Sequence, residues 1–411
     1  MKERVILVAL VKNNRERYKK IADLEELKAL TETAGGEVIG SFIQVKENPS
    51  PRTLLGKGKI KELKEICEKY HIDLLIFDNQ LTPSQVRNIE QETNVRTIDR
   101  RALILDIFAR HAKTTEAMLQ VELAQLNYQL TMLTGKGEQL SQLGGGIGTR
   151  GPGEKKLEVD KRKIRERIYF LKKSLEKIKK TKELQRSQRE HFFKIALAGY
   201  TNSGKSTLFK ALTKENVYIS EELFATLDTN TKAFEIYPNI KVLITDTVGF
   251  IKNLPPQLIT AFHATLEDIK RSDLIIHLID ATTENVEEKI NIVQETLKNL
   301  GCDEEKITLV FNKIDLLFEK TQYLRLKRKY PEALFISALK GTNLEKLKNF
   351  IRKKMKTFLK RKTLKIKKEK GFILSYIYRN SYVIDFKENE NEYWVKILAY
   401  PQFIYSLSSQ I

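Results

Sequence analysis

Hydrophobic and polar positions in the first hundred residues alternate between strand-like and helix-like patterns. Short apolar runs predict strands at residues 5–11, 37–45, 72–77 and 95–98. Amphipathic spacing predicts helices at residues 23–30 and 59–69, and another that begins near Pro83. This order of elements predicts a small α/β domain with a largely parallel sheet over residues 1–113.

The pattern changes over residues 114–190, where leucine and isoleucine recur at steps of three and four. The first seam is Leu119, Leu123, Leu126, Leu130 and Leu133, and the second is Leu157, Ile164, Ile168, Leu171, Leu175 and Ile178. Such seams belong to helices that pack lengthwise on one another. Because residues 135–153 between them are rich in glycine, we expect an antiparallel helical hairpin with a glycine-rich tip. Its second helix, at residues 154–190, would be about 50 Å long.

A second alternation of strands and helices begins at residue 191. Strands are predicted at residues 193–198, 242–245, 274–279, 307–311 and 333–336. Residues 352–370 are predicted to form a very basic helix and linker, and residues 372–411 to be rich in strands, with a turn at 388–392.

Composition adds a basic charge balance, 73 Lys and Arg against 53 Asp and Glu, for a net charge of +20. Such a surplus favours polyanionic partners, although lysine that only decorates solvated surfaces gives the same composition. Cys67 and Cys302 lie far apart without metal-ligand spacing, which fits a reducing compartment. No apolar run approaches the length of a membrane span, and the first residues do not resemble a secretory signal, so a cytoplasmic location is expected.

A phosphate-binding loop is predicted where the strand at 193–198 meets a helix. Glycines let the backbone N–H groups of such a loop face phosphates, while the lysine reaches the β- and γ-phosphates and the serine hydroxyl binds Mg²⁺. The predicted nucleotide-binding residues here are Gly199, Tyr200, Thr201, Asn202, Ser203, Gly204, Lys205, Ser206 and Thr207.

Three further motifs follow in the order that a guanine-nucleotide site requires. The first supplies a Mg²⁺-linked carboxylate and a glycine N–H for the γ-phosphate: Asp246, Thr247, Val248 and Gly249. The second suits guanine, because an Asp carboxylate accepts both its N1–H and its amino protons, while Asn312 suits its O6/N7 edge: Asn312, Lys313, Ile314 and Asp315. The third closes the pocket with a backbone N–H to O6: Ser337, Ala338 and Leu339.

A switch segment between the first two motifs completes the predicted site. It comprises Phe224, Ala225, Thr226, Leu227 and Asp228. Thr226 is the expected switch ligand, with Thr229 and Thr231 as alternatives. The predicted metal ligands are therefore Ser206, Thr226 and Asp246, and the substrate is GTP.

Phe250 stands where many small GTPases carry the glutamine that orients the attacking water. Phenylalanine lacks that capacity, so slow intrinsic hydrolysis and stimulation by a partner are expected. The predicted catalytic residues are Lys205, Thr226, Gly249 and Phe250. Asn202 has two open interpretations: a ligand for a monovalent cation such as K⁺, or a loop residue that tolerates an unusual backbone angle.

Together these patterns predict the α/β fold class. A P-loop GTPase domain with a mostly parallel sheet and flanking helices (191–362) is preceded by a small α/β domain (1–113) and a helical hairpin (114–190). A small β-rich domain (363–411) follows it.

The flanking stretches at 51–59, 97–108, 144–154 and 224–228 closely resemble the HflX family of bacterial GTPases, which is related to Obg. Lys155, Lys156 and the Asp228-Thr-Asn segment depart from the usual family residues. The resemblance implies a GTPase that binds the large ribosomal subunit and splits stalled or idle ribosomes. It also implies that the hairpin places its tip beside ribosomal RNA near the peptidyl transferase centre. ATP binding by the N-terminal region is associated with the family, but residues 56–59 are too short to indicate an adenine site.

Two other functions remain open at this point. One is a GTP-dependent RNA-binding factor for large-subunit assembly that does not split ribosomes. The other is a membrane-targeting GTPase, which the lack of an amphipathic, apolar-anchored N-terminus disfavours. Basic residues at 161–173, together with Arg150 at the tip, favour RNA, although Glu158, Asp160 and Glu166 also fit a solvated helix face. The free protein is expected to be a monomer.

Overall fold

The computed structural model describes residues 2–142, 152–187, 191–214, 230–253, 255, 258, 263–317 and 320–408. Residues 143–151 of the glycine-rich tip, with Arg150, lie outside these described residues, as do the switch residues Phe224, Ala225, Thr226, Leu227 and Asp228 and the alternative Thr229. The loop prediction is wrong for the rest of the tip, since 135–142 and 152–153 are helical. The chain forms two compact units, the first built mainly on Met1–Lys179 and the second mainly on the remainder.

The N-terminal domain is the expected parallel α/β layer. Its strands are β1 (Arg4–Val11), β2 (Glu37–Val45), β3 (Leu74–Phe77) and β4 (Arg96–Asp99), in the order β2-β1-β3-β4. Its helices are α1 (Asn14–Thr33), α2 (Lys57–Tyr70), α3 (Pro83–Thr93) and α4 (Arg100–His111). The central strands are apolar along their length because a parallel sheet is covered on both faces. Helix α3 begins with a capping box between Thr82 and Gln85.

Two long helices follow, α5 (Thr115–Gln142) and α6 (Pro152–Ser187). They pack through the predicted seams, with Leu123, Ile168 and Leu171 at the centre of the contact. Around this centre lie Leu119, Leu126, Leu130, Ile164 and Leu175. At the edge, Arg167 donates to both carboxylate oxygens of Glu122, at 2.7 and 3.0 Å.

The second unit begins with a six-stranded sheet in the order β10-β9-β8-β5-β7-β6. Its strands are β5 (Lys194–Gly199), β6 (Asn230–Tyr237), β7 (Ile240–Asp246), β8 (Leu274–Asp280), β9 (Ile307–Asn312) and β10 (Leu334–Phe335). Its helices are α7 (Lys205–Thr213), α8 (His263–Lys270), α9 (Val286–Asn299), α10 (Lys320–Lys329) and α11 (Leu344–Lys354). All described pairings are parallel except that between β6 and β7, and β6 was not predicted.

The C-terminal domain has the expected strands, which form an antiparallel sheet, but also two unpredicted helices. Its elements are β11 (Lys360–Lys367), α12 (Phe372–Asn380), β12 (Tyr382–Glu388), β13 (Glu392–Ala399) and α13 (Pro401–Ser408), with strand order β11-β13-β12. The expected basic helix and linker is therefore wrong for Lys360–Lys367, which is a strand. Lysines mask its period of two, in which Leu364 and Ile366 face the core.

Candidate nucleotide site

The site lies at the carboxyl ends of the parallel strands of the six-stranded sheet. Strand β5 pairs with β7 on one side and β8 on the other, so the loop after β5 leaves the sheet where the chain order reverses. Open α/β sheets bind their ligands in this position. Helix α7 begins at Lys205, with Gly204 as its N-cap, so its unpaired N–H groups point to this edge.

Two glycines of the loop are required by close contacts. A Cβ atom on Gly199 would lie 2.3 Å from the carbonyl oxygen of Leu278. Gly204 has φ +90°, and a Cβ there would lie 2.3 Å from Asn312 Nδ2. The sequence expectation of a tightly curled loop is thus explained by packing against β8 and β9.

Lys205 is buried inside this loop. Its Nζ donates to the carbonyl oxygens of Gly199, at 3.1 Å, and Tyr200, at 3.0 Å. Burial lowers the pKa of Lys205 to about 8, against a smaller opposing effect of Asp246. A buried ammonium held by backbone carbonyls is suited to meet a phosphate, which offers it a full opposite charge.

Ser206 and Asp246 bring the hydroxyl and the carboxylate predicted for Mg²⁺ to one place. Ser206 Oγ donates to Asp246 Oδ2 at 2.8 Å. Mg²⁺ prefers such hard oxygen ligands and completes its shell with water and phosphate oxygens, so the two residues fit this ion. Thr247, by contrast, is buried, and its hydroxyl donates to Leu197 O at 2.6 Å, which is a structural role.

Gly249 and Phe250 join the end of β7 to the phosphate-binding loop. A Cβ on Gly249 would lie 2.9 Å from Thr201 Cγ2 and 3.2 Å from Lys205 Nζ. Phe250 N–H donates to Gly199 O at 3.0 Å, and Phe250 O accepts from Thr201 N–H at 2.8 Å. The Phe250 side chain is buried. Any movement of Phe250 therefore acts directly on the loop that would hold the phosphates.

A second set of contacts connects the phosphate-binding loop to the residues after Phe250. Lys252 N–H donates to the hydroxyl of Tyr200 at 2.8 Å. Lys252 Nζ forms an ion pair with Glu288 at 2.6 Å, and Lys289 Nζ lies 5.1 Å from the centre of the Tyr200 ring. The sequence predicts Tyr200 as one of the nucleotide-binding residues of the loop but does not predict these contacts. The structure makes it the anchor between the loop, the segment after β7 and helix α9.

Asn312, predicted to meet the O6/N7 edge of guanine, forms hydrogen bonds to two other parts of the site. Its Nδ2 donates to Ser203 O at 2.9 Å, and its Oδ1 accepts from Ala338 N–H at 2.9 Å. It thus connects the phosphate-binding loop to the segment of Ser337, Ala338 and Leu339. Since Ser337 N–H donates to Thr342 O, the Leu339 N–H is the remaining candidate donor to guanine O6 within that segment.

Lys313 and Asp315 lie on the side where the base is expected. Lys313 has φ 62°, and its Nζ forms an ion pair with Asp280 Oδ2 at 2.7 Å. This pair fixes the lysine stem across the carboxyl ends of β8 and β9. Asp315 lies in the 3₁₀ turn Ile314–Leu316 and is exposed, so its carboxylate is open to a base.

His277 is a site neighbour that sequence reasoning missed. It lies on β8 opposite Ala198 and is 1% exposed. Burial, and secondarily the charge of Lys205, lower the pKa of His277 to about 3, so the imidazole is neutral. The available signal was a single imidazole within the apolar run at 274–279. Asn202 has φ 58°, which agrees with the interpretation of a residue that tolerates an unusual backbone angle.

The fold and this arrangement of a glycine-lined loop, a buried lysine, a Ser–Asp pair and an exposed carboxylate at Asp315 define a P-loop GTPase. Three family profiles match the chain in succession: "GTP-binding GTPase N-terminal" at 22–109, "GTP-binding GTPase Middle Region" at 111–189 and "50S ribosome-binding GTPase" at 194–313.

Full-length relatives give the same result. The GTPase HflX of Caldanaerobacter subterraneus is 48% identical over 77% of this chain and 73% of its own length. The GTPase HflX of Lacrimispora saccharolytica is 46% identical over 77% of this chain and 74% of its own length. The GTPase HflX of Alkalihalophilus pseudofirmus is 39% identical over 91% of this chain and 88% of its own length. The chain belongs to the HflX family of GTPases.

Among the described residues, no helix has both the length and the apolar character needed to cross a membrane.

Proposed function

We propose that this GTPase binds the large ribosomal subunit in the cytoplasm and splits stalled or idle ribosomes, with GTP hydrolysis controlling its release. The observation that carries the proposal is membership of the HflX family, with N-terminal, middle and GTPase regions all matched in order. A GTP-dependent change in affinity suits a factor that must bind its target tightly and then leave it. The free protein is proposed to be a monomer.

The hairpin supports this proposal through its exposed surface. Helix α6 exposes a group of basic side chains outside its packing seam, Lys163, Arg165, Lys172 and Lys173. Beside them, Tyr169 and Phe170 are 64% and 60% exposed. Basic and aromatic side chains together suit RNA, because cations pair with phosphates and rings stack on unpaired bases.

The hydrolytic site is proposed to work mainly by stabilising the negative charge of the phosphates. Lys205 would pair with the β- and γ-phosphates, and the Gly249 N–H would contact the γ-phosphate. Ser206 and Asp246, with Thr226, would hold Mg²⁺, which when bound neutralises charge that develops on the phosphates. Asn202 is the proposed contact for K⁺.

Phe250 determines the expected kinetics. Its side chain has no group to orient water, so intrinsic turnover is expected to be slow. Because its backbone pairs with Gly199 and Thr201, a partner that repositions Phe250 also repositions the phosphate-binding loop. We expect the ribosome to act in this way.

The test is sedimentation of joined ribosomes incubated with GTP and the purified protein. The proposal expects conversion to separate subunits, lost in Lys205→Ala and retained in Lys210→Ala, a matched change on the same helix. Ribosome-stimulated hydrolysis without splitting would contradict the splitting role and favour the assembly factor. Absence of both would remove the ribosomal function and leave the GTPase assignment intact.

A further inference from the structure

One face of the C-terminal sheet is covered and the other is partly open. Helices α12 and α13 cover the first face through an apolar cluster of Leu364, Ile366, Ile373, Ile377, Val395, Ile397, Ile404 and Leu407. Strand register places the alternate side chains in rows on the opposite face. Lys365 and Lys387 flank Trp394 in one row, and Thr363 and Asp385 flank Lys396 in the next. We call these six residues the tryptophan face.

Trp394 is the only tryptophan of the chain and is 37% exposed. Lys365 Nζ lies 4.4 Å from the centre of its ring. Such a cation–π contact orients the ring without burying it. A large planar side chain is thus kept at the surface between two lysines.

The tryptophan face is anchored at one end to the GTPase domain. The next residues on the same side, Leu398 and its cross-strand partner Tyr382, pack against the core of that domain. The Tyr382 ring stacks on Tyr237 of β6 with a centroid separation of 5.3 Å. The Tyr400 hydroxyl donates to Lys241 O at 2.8 Å and accepts from Phe193 N–H at 3.2 Å. The exposed rows are therefore held in a fixed position beside β6 and β7.

The charge and shape of this surface favour one class of partner. Three lysines against the single carboxylate of Asp385 make it attractive to a polyanion. Bases stack on exposed aromatic rings irrespective of sequence, while neighbouring lysines neutralise the phosphates. An acidic protein segment would use the lysines, but its carboxylates do not stack on the ring as nucleic-acid bases do.

We propose that the tryptophan face binds single-stranded RNA, with a base stacked on Trp394 and phosphates paired with Lys365, Lys387 and Lys396. The biological source of that RNA, an unpaired segment of the large ribosomal subunit, rests on the proposed function. The RNA-binding surface itself rests only on the contacts given above.

Because Trp394 is unique, its fluorescence in the full-length protein reports on this face alone. The experiment titrates the protein with a short oligouridylate and follows both tryptophan emission and the anisotropy of labelled RNA. We expect saturable quenching whose midpoint coincides with the anisotropy change. Lys387→Ala should raise the quenching midpoint roughly fourfold at physiological salt and lower the slope of log affinity against log salt by about 0.7. Lys360→Ala, on the same sheet but beside Tyr405 on the helix-covered side, should change neither.

Three results would overturn the inference. RNA binding seen by anisotropy without quenching would place the RNA elsewhere on the chain. Equal quenching by polyglutamate would indicate a surface for acidic protein. No binding by either readout would remove the surface altogether. Stimulation of GTP hydrolysis by large subunits is measured separately, so failure of the ribosomal function and failure of this surface are distinguishable.

Discussion

The N-terminal sheet and the mostly parallel sheet of the GTPase domain both carry charged side chains at the carboxyl ends of their parallel strands, but the two sheets neutralise these charges differently. In the N-terminal domain, Arg100 pairs with Asp78 at 2.8 Å and also with Glu26, while Lys20 pairs with Asp78 at 2.7 Å. Burial alone would raise the pKa of Asp78, yet Arg100 and Lys20 hold it below its usual value. In the GTPase domain, Lys205 donates to two backbone carbonyls instead of a carboxylate.

This difference distinguishes a structural role for the strand ends of the N-terminal sheet from a ligand-binding role for those of the GTPase domain. Paired charges at the N-terminal sheet neutralise one another and link α1, the segment after β3 and α4. The charge of Lys205 is buried at a cost, because its pKa lies below the usual 10.5. A phosphate would provide the missing partner. Of these two charge clusters, the one at Lys205 leaves a charge for a ligand to compensate.

The largest effect is expected for Lys205→Met. Hydrolysis should fall by at least about 10²–10³-fold through loss of phosphate stabilisation. Without nucleotide, however, the free energy of unfolding at neutral pH should rise by roughly 2 kcal/mol, since removal of the buried charge outweighs two lost hydrogen bonds. The burial cost is present below pH of about 8 and is relieved between about 8 and 10.5, so the gain should shrink at alkaline pH. Denaturant titration of both proteins measures this. A destabilised variant would contradict the comparison.

Arg100→Ala should give the opposite result. It leaves Asp78 and Glu26 without their buried guanidinium, and we expect a loss of about 3–5 kcal/mol in stability. The control is Arg52→Ala, whose partner Glu92 lies at the surface, with an expected change of about 0–1 kcal/mol. Equal effects in the two variants, measured by urea unfolding, would show that the N-terminal cluster is not a stabilising network.

Asp315→Ala tests the base side of the site. Inosine triphosphate lacks the amino group of guanine, so wild-type protein should prefer GTP by about 10- to 100-fold through one charge-assisted hydrogen bond. The variant should lose this preference, whereas Glu332→Ala, another exposed carboxylate, should keep it. Competition binding with the two nucleotides decides the matter. A preference that survives Asp315→Ala would assign guanine recognition to another group.

The smallest effect is expected for His277→Gln and depends on pH. The folded pKa of about 3 lies below the ordinary 6.5, so the unfolded chain takes up the proton first as the solution is acidified. As the pH falls below about 6.5, His277 should therefore lower the free energy of unfolding by about 1.4 kcal/mol per pH unit. Unfolding at pH values between 7 and 5 should give a shallower decline in the variant. Parallel declines would show that His277 does not titrate in this way.

Sequence patterns predicted the parts of the molecule that rest on strong local signals. The parallel strands of both sheets, the hairpin seam and the placement of Ser206 beside Asp246 follow from apolar runs and motif spacing. Strand β6 was missed because it lies at the sheet edge, where only two of its eight residues are buried. The Asn312 connection and the Tyr200 anchor depend on partners far along the chain, which no local pattern specifies.

The most direct measurement is GTP turnover by the full-length protein with and without purified large ribosomal subunits. Phe250 in place of a water-orienting residue, and its backbone pairing with the phosphate-binding loop, predict slow turnover alone and strong stimulation by the subunit. Lys205→Ala should abolish both. Turnover that is already fast alone, or that large subunits leave unchanged, would contradict the account.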